Sequence, residues 1–217
     1  MTLSSRGTMP RPRDRTTRRR LLAAIAAAAM LGAGWRAGRA EPSAEQAREL
    51  IQDIGNQVLG ILRDSSLSDG SKLERLVDLL EGPIDLDLVA RLILGRHWRA
   101  ASEAQRQEYL ELFRGYALNF LASKLHLYRG QSYEILDAQV LSERDALVTT
   151  RILGNQGPPL KVDWRLRDQD GGLMAIDVVV EGVSLIVTQR SEFGSVIERD
   201  GFEGLLAELR QRIRQAT

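Results

Sequence analysis

A few polar residues of this 217-residue chain have the types and spacing that enzymes use. Ser184 lies in the segment 181–185, Glu-Gly-Val-Ser-Leu, which carries one of the two glycines of a nucleophile elbow. Such a serine needs a histidine later in the chain, and none follows. Asp85 and Asp87 have the spacing of a carboxylate pair for acid–base work, but they stand where a helix is predicted to begin. We therefore interpret Ser184 and Asp85 as helix caps.

The composition excludes further kinds of site. The chain has no cysteine, which removes disulfides, thiolate metal ligands and cysteine nucleophiles. Its two histidines, His97 and His126, have neither HExxH spacing nor a carboxylate-rich loop beside them. The segment 154–157 has the glycines of a phosphate-binding loop without the lysine. We expect no catalytic residues, no metal and no cofactor.

The elements that would position a site come in two groups. Apolar residues recur at three- and four-residue intervals through the first half, which predicts helices. The serine–glutamine pair Ser102 and Gln105 has capping-box spacing and opens the longest of them. The predicted helices cover residues 43–63, 71–80, 86–94 and 102–127.

Beyond Gly130 the period changes to two, which predicts strands. The clearest strand places Val162, Trp164 and Leu166 on one face and charged residues on the other. Short polar loops indicate antiparallel neighbours. The predicted strands cover residues 133–141, 146–153, 160–167 and 173–180, and two helices follow at 184–199 and 202–215, divided by Gly201.

This order predicts an α+β fold: a four-stranded, strongly twisted antiparallel sheet packed against several helices, with an apolar interior between them. Whether side chains fill that interior or leave it open for a ligand is not decided by the pattern.

The first 40 residues have the features of an export signal. A basic head ends at Arg18-Arg19-Arg20, an alanine- and leucine-rich stretch follows, and Gly38-Arg39-Ala40 is a small-residue cleavage site. The paired arginines fit a twin-arginine signal, an ordinary secretory signal fits equally, and a retained anchor is a third interpretation. We expect residues 1–40 to be cleaved, leaving one domain outside the cytoplasm at 41–217, helical over 43–128, stranded over 132–181 and helical again over 184–215.

Removing that leader changes the charge of the protein. The precursor is nearly neutral, but residues 41–217 hold 21 basic and 28 acidic side chains. This acidic balance argues against a nucleic-acid partner, which requires a net basic surface. It also argues against firm docking on anionic lipid.

Two segments resemble a known family. The first is residues 87–99, followed by Gln105, Phe113 and Tyr116; the second is residues 177–185, followed by 190–193 and 200–205. Together they are similar to the MlaC or toluene-tolerance family of periplasmic phospholipid-binding proteins, in order and spacing over nearly all of residues 41–217.

The resemblance implies a soluble component of an ABC-type lipid transport system. Such a protein carries a phospholipid ligand between an inner-membrane ABC lipid transporter complex and an outer-membrane lipoprotein–porin complex. The acyl chains lie in an apolar cavity between sheet and helices, and some relatives serve hopanoid or other lipids. We expect a monomer.

Candidate lining residues are the apolar residues on the faces predicted to point inward. They are Phe113, Tyr116, Phe120, Val148, Ile152, Val162, Trp164, Ile176, Val178, Val183 and Ile186. Two alternatives to a lipid carrier stay open from the residues: an interaction module whose interior is filled, and an exported hydrolase, which the lack of a triad disfavours.

Overall fold

A computed structural model describes residues 42–125, 127–154, 157–169 and 172–216, all of them within one compact unit. The predicted export signal and His126 lie outside the described residues. The predicted α+β fold, an antiparallel sheet packed against helices, is confirmed.

Six helices are present in the described residues, and the predicted caps begin several of them. Asp85 accepts a hydrogen bond from the Leu88 amide at 2.8 Å, and Ser102 and Gln105 cap each other's amides. The sequence predicts a break between two helices at Gly201. In the structure Gly201 is a single non-helical residue, with φ +74°, inside the last helix. The helices are α1 Ala44–Arg63, α2 Asp69–Glu81, α3 Leu86–Leu94, α4 Arg96–Ala100, α5 Glu103–Leu125 and α6 Leu185–Ala216.

The sheet has five antiparallel strands in simple sequence order, β1-β2-β3-β4-β5, rather than the four predicted. The added strand is the two-residue β5, which pairs with the end of β4 immediately before α6. The strands are β1 Ser132–Val140, β2 Asp145–Leu153, β3 Leu160–Gln169, β4 Gly172–Val180 and β5 Val183–Ser184.

Two register shifts interrupt the sheet. One falls at Leu136 in the edge strand β1, and the other at Ile176 in β4 opposite the Arg165–Leu166 step of β3. Each adds one residue on one strand, which bends that strand locally. The shift in β4 places Ala175 and Ile176, 6% and 3% exposed, together among the buried residues.

Burial follows the predicted alternation along β3. Val162 and Leu166 are buried on the inner face, which packs against helices, while Lys161 and Arg165 on the outer face are exposed. The outer face is held by charge pairs. Asp145, only 6% exposed, accepts hydrogen bonds from Arg167 Nε at 2.7 Å and Arg165 Nη2 at 2.8 Å.

Most of the buried apolar residues form two separate clusters. The first joins α1 to the inner face of the sheet, and its members are Ala47, Ile51, Ala146, Val148, Leu166 and Ala175. The second is built entirely from helices α3, α5 and α6, and it is centred on Tyr109, Phe193 and Leu206. The helices of the second cluster therefore bury their apolar faces mainly against each other.

Helix α1 is fixed to the edge strand β1 by Tyr133. Its hydroxyl donates to the Gln52 carbonyl at 2.9 Å and lies 3.1 Å from Asn56 Oδ1. The phenol ring occupies the space beside Gly55, so that a Cβ at this glycine would overlap the ring. A glycine at this position allows the helix to approach the strand closely.

A pair of alanine substitutions in α1 tests this contact. We expect Gly55→Ala to lower the free energy of unfolding by about 1 kcal/mol or more, because the new methyl group displaces the hydrogen-bonded Tyr133 ring. Gly60→Ala in the same helix meets nothing within 4 Å and should raise stability by about 0.5–1 kcal/mol. Urea unfolding of both variants measures the difference, and a stabilising Gly55→Ala would contradict the close approach.

Asp145 should make stability depend on acid pH. Its hydrogen bonds from Arg167 and then Arg165 lower its pKa from 3.8 to about 2, against the opposing effect of burial. Because the folded-state pKa is the lower one, this stabilisation is complete above about pH 5 and is lost as the pH falls from about 4 towards 2. Asp145→Asn should cost about 2 kcal/mol at neutral pH and flatten the acid limb of the stability curve. Asp137→Asn, exposed on the same face, is the control and should leave that limb unchanged.

Candidate functional site

The strand register brings the predicted sheet residues into rows on the inner face. Val148, Trp164 and Val178 lie side by side across β2, β3 and β4. The next row towards the start of β3 places Val162 between Thr150 and Val180. Residues directly opposite in an antiparallel pair share a face, so all of these side chains belong to one surface.

The sheet residues differ in how completely they are covered. Val148 is fully buried in the cluster under α1, and Val162 and Ile176, at 5% and 3% exposed, are buried outside both clusters. Ile152, Trp164, Val178 and Val180 are only partly buried, although they lie on the same inner face. An apolar surface that remains accessible on the helix-facing side of a sheet is the kind of lining that a ligand site requires.

The helix contacts of the sheet explain where this accessible surface lies. Helix α1 packs on β1 and β2 and reaches β4, while α3 and α6 also pack on β4. Helix α5 packs against α2, α3 and α6. The inner face of the central strand β3 therefore lies between α1 on one side and the helical cluster on the other. We take this region, with Ile152, Val162, Trp164, Ile176 and Val178, as the candidate site.

Most of the predicted lining residues on the helices lie in or against the helical cluster. Phe113 and Ile186, 4% and 7% exposed, are members of the helical cluster. Tyr116 packs against that cluster, and its hydroxyl donates to Gln189 Oε1 at 2.6 Å. Burial, with Glu192 as a smaller cause, raises the pKa of Tyr116. This tyrosine thus has its polar end fixed between α5 and α6.

Phe120 and Val183 are the most exposed of the predicted lining residues. They are 44% and 58% exposed and belong to neither buried cluster. Phe120 lies under the Lys124 ammonium, 5.0 Å from the ring centroid, on the solvent side of α5. Val183 belongs to the two-residue edge strand β5, where no further strand or helix covers it. The pattern of apolar spacing cannot distinguish an edge position from an interior one.

Thr150 and Val180 lie on the same inner face but are not among the predicted lining residues. Thr150 is 1% exposed on the inner face, and Trp164, its diagonal neighbour in the adjoining row, donates its indole N–H to Thr150 Oγ1 at 3.0 Å. The alternation along β2, which runs Ala146, Val148, Thr150 and Ile152, places the threonine on this face.

The residues considered for catalysis have structural roles. Ser184 caps α6: its Oγ accepts from the Val187 amide at 3.1 Å and donates to Asp177 Oδ2 at 2.6 Å. Asp87 pairs with Arg114 at 2.9 Å. Within the described residues, no cluster of three or more metal-binding side chains occurs, and no helix there is long and apolar enough to cross a bilayer.

Comparison with known proteins identifies the family. The family model described as MlaC protein matches residues 52–211, which is most of the chain. The chain belongs to the MlaC family. The resemblance seen in the two sequence segments is therefore confirmed.

Two relatives of this MlaC family member are informative. The toluene tolerance protein Ttg2D of Pseudomonas putida is 24% identical over 164 residues, covering 73% of this chain and 76% of the relative. A phospholipid-binding protein of Ralstonia solanacearum, solved in complex with a phospholipid, shares the fold with a TM-score of 0.69. That likeness has 22% sequence identity and covers 79% of this chain and 98% of the other.

Replacing Ser184 separates the capping role from a catalytic one. We expect Ser184→Ala to lower the free energy of unfolding by about 1 kcal/mol through loss of the cap. Any ester turnover by the purified protein should be the same before and after the change. Ser195→Ala is the control, because this serine bonds only within α6, to the Ser191 carbonyl at 2.8 Å, and its loss should be near neutral. Turnover that disappears with Ser184 would support the hydrolase alternative.

Proposed function

We propose that this protein is a soluble periplasmic phospholipid carrier, the substrate-binding component of an ABC-type lipid transport system. The observation that carries the proposal is the accessible apolar surface on the inner face of β3 and its neighbours, between two separate buried clusters. A relative that shares this fold at a TM-score of 0.69 holds a phospholipid. Membership of the MlaC family supports the same role.

The physical problem of lipid transfer matches this kind of site. A diacyl lipid has roughly 30 methylene groups, and exposing them to water costs on the order of 20 kcal/mol at about 0.8 kcal/mol each. Free diffusion through an aqueous compartment is therefore negligible. A carrier needs an apolar surface that covers the chains, with few directional contacts.

The polar groups around the candidate site leave few donors or acceptors for a ligand. Among the described residues, no buried side-chain nitrogen or oxygen lacks a hydrogen-bond partner. The polar atoms of Thr150 and Trp164 pair with each other, and the Thr150 hydroxyl also donates to the Val162 carbonyl at 3.0 Å. A ligand at this face would therefore meet hydrocarbon rather than unpaired donors or acceptors.

The proposed partners follow from the same role. An export signal at residues 1–40 would deliver the domain to the periplasm, where it would exchange phospholipid with an inner-membrane ABC lipid transporter complex and an outer-membrane lipoprotein–porin complex. Energy for loading or release would come from the transporter, since the carrier itself would bind no nucleotide. We propose that it acts as a monomer, without a cofactor and without enzymatic activity.

Lipid extraction tests the proposal, and bulky substitutions locate the site. Protein purified from the periplasm should yield about one phospholipid per chain by organic extraction and mass spectrometry. Val162→Phe and Ile176→Trp should each reduce that amount several-fold, because the added side-chain volume occupies the space of the acyl chains. Overpacking should also cost about 1–3 kcal/mol of stability, which thermal unfolding would monitor.

Leu141→Phe is the matched control for these two variants. Leu141 is 48% exposed in the β1–β2 hairpin, at the opposite end of the strands from Ile152 and Val180, so this change should leave the lipid content unaltered. Wild-type protein that carries no lipid would instead favour the interaction module with a filled interior. A co-purified hopanoid would support the carrier function but identify its ligand as a hopanoid rather than a phospholipid. A folded Val162→Phe with unchanged lipid would remove Val162 from the site.

A further inference from the structure

A buried threonine in the middle of the apolar inner face requires a reason. Thr150 is 1% exposed and is flanked along β2 by Val148 and Ile152 on the same face. Its hydroxyl donates to the Val162 carbonyl at 3.0 Å and accepts from Trp164 Nε1 at 3.0 Å. Burying a hydroxyl here is tolerated because both of these bonds are made.

The result of this arrangement is a fixed indole. A buried tryptophan N–H needs an acceptor, and Thr150 supplies one from the neighbouring strand. The backbone bond to Val162 in turn orients the threonine hydroxyl, so the indole is held by two consecutive hydrogen bonds. Leucine or phenylalanine would present an apolar surface without any polar requirement, but neither side chain is as large as the indole. The pair therefore specifies the position of the ring as well as its size.

The ring lies at a boundary of the candidate site. Trp164 packs against the buried cluster under α1, yet it keeps part of its surface accessible. On β2 its cross-strand neighbour Val148 is fully buried, whereas on β4 its neighbour Val178 is only partly buried. One side of the indole thus belongs to the packed core and the other side to the accessible apolar surface.

We propose that Trp164, held by Thr150, forms the end wall of the acyl-chain site and sets the length of the hydrocarbon chain that the protein accepts. The inference rests on the proposed carrier function and specifies its selectivity. A rigid wall would exclude the terminal methylenes of longer chains. Burying one methylene contributes about 0.8 kcal/mol. Each further methylene that a smaller side chain at position 164 admits should therefore strengthen binding about fourfold.

The test is competition between chain lengths. Lipid-free protein is mixed with equimolar short-, medium- and long-chain phosphatidylglycerols, and the bound species are quantified by native mass spectrometry. Wild type should show a cut-off above one chain length. Trp164→Leu should move that cut-off to longer chains, with about fourfold enrichment for each further methylene admitted.

Three further variants complete the experiment. Thr150→Val, which keeps the shape and removes the acceptor, should weaken the cut-off, whereas Thr150→Ser should keep it. Leu166→Val shortens a fully buried residue of the same strand and face, within the cluster under α1, and should leave the cut-off where it is in wild type. If Trp164→Leu does not fold, the chain-length cut-off of Trp164→Phe provides the same test.

The possible results separate the two proposals. A folded Trp164→Leu or Trp164→Phe with the wild-type cut-off would overturn the role of Trp164 while leaving the carrier intact. An equal shift in Leu166→Val would also overturn it, since the effect would then reflect general loosening of the core. Wild-type protein that takes up none of the three lipids would refute the carrier proposal itself.

Discussion

The inner face of the sheet is mostly apolar, with Thr150 as a hydrogen-bonded exception, but the helices do not cover it evenly. Helix α1 buries the part formed by Ala146, Val148 and Leu166. Helices α3, α5 and α6 bury their apolar faces against each other in a separate cluster around Tyr109 and Phe193. If the two clusters merged, the region around Trp164 and Val178 would be filled with side chains. The division of the core into two parts is therefore the constraint on which the candidate site depends.

Keeping two clusters apart requires fixed attachments between the layers. Tyr133 ties α1 to β1 through its hydrogen bonds to Gln52 and Asn56. At the other side of the sheet, Asp177 of β4 accepts from the Ser184 hydroxyl and from the Ile186 amide, which anchors the start of α6. These polar contacts attach α1 and α6 to opposite sides of the sheet, while α5 packs mainly against other helices.

The sequence predicts the regular elements well and the interruptions poorly. Capping residues such as Asp85 and Ser102 mark helix starts through local hydrogen bonds, and alternation along β3 identifies its inner face, because both signals depend only on neighbouring residues. The register shifts at Leu136 and Ile176 depend on pairing with another strand, and helix α4 and strand β5, of five and two residues, are too short to show a period. Phe120 shows the same limit within the site: its spacing is that of an inward residue, yet 44% of it is exposed.

The irregular pairing at Leu136 has a consequence for the behaviour of the protein in a crowded compartment. Strand β1 is one open edge of the sheet, and open edges with regular hydrogen-bonding groups recruit strands from other molecules. The extra residue twists this edge, and Asp137 adds an exposed negative charge to it. A sheet edge blunted in this way is a poor template for a strand of another copy, which disfavours association of the protein through this edge.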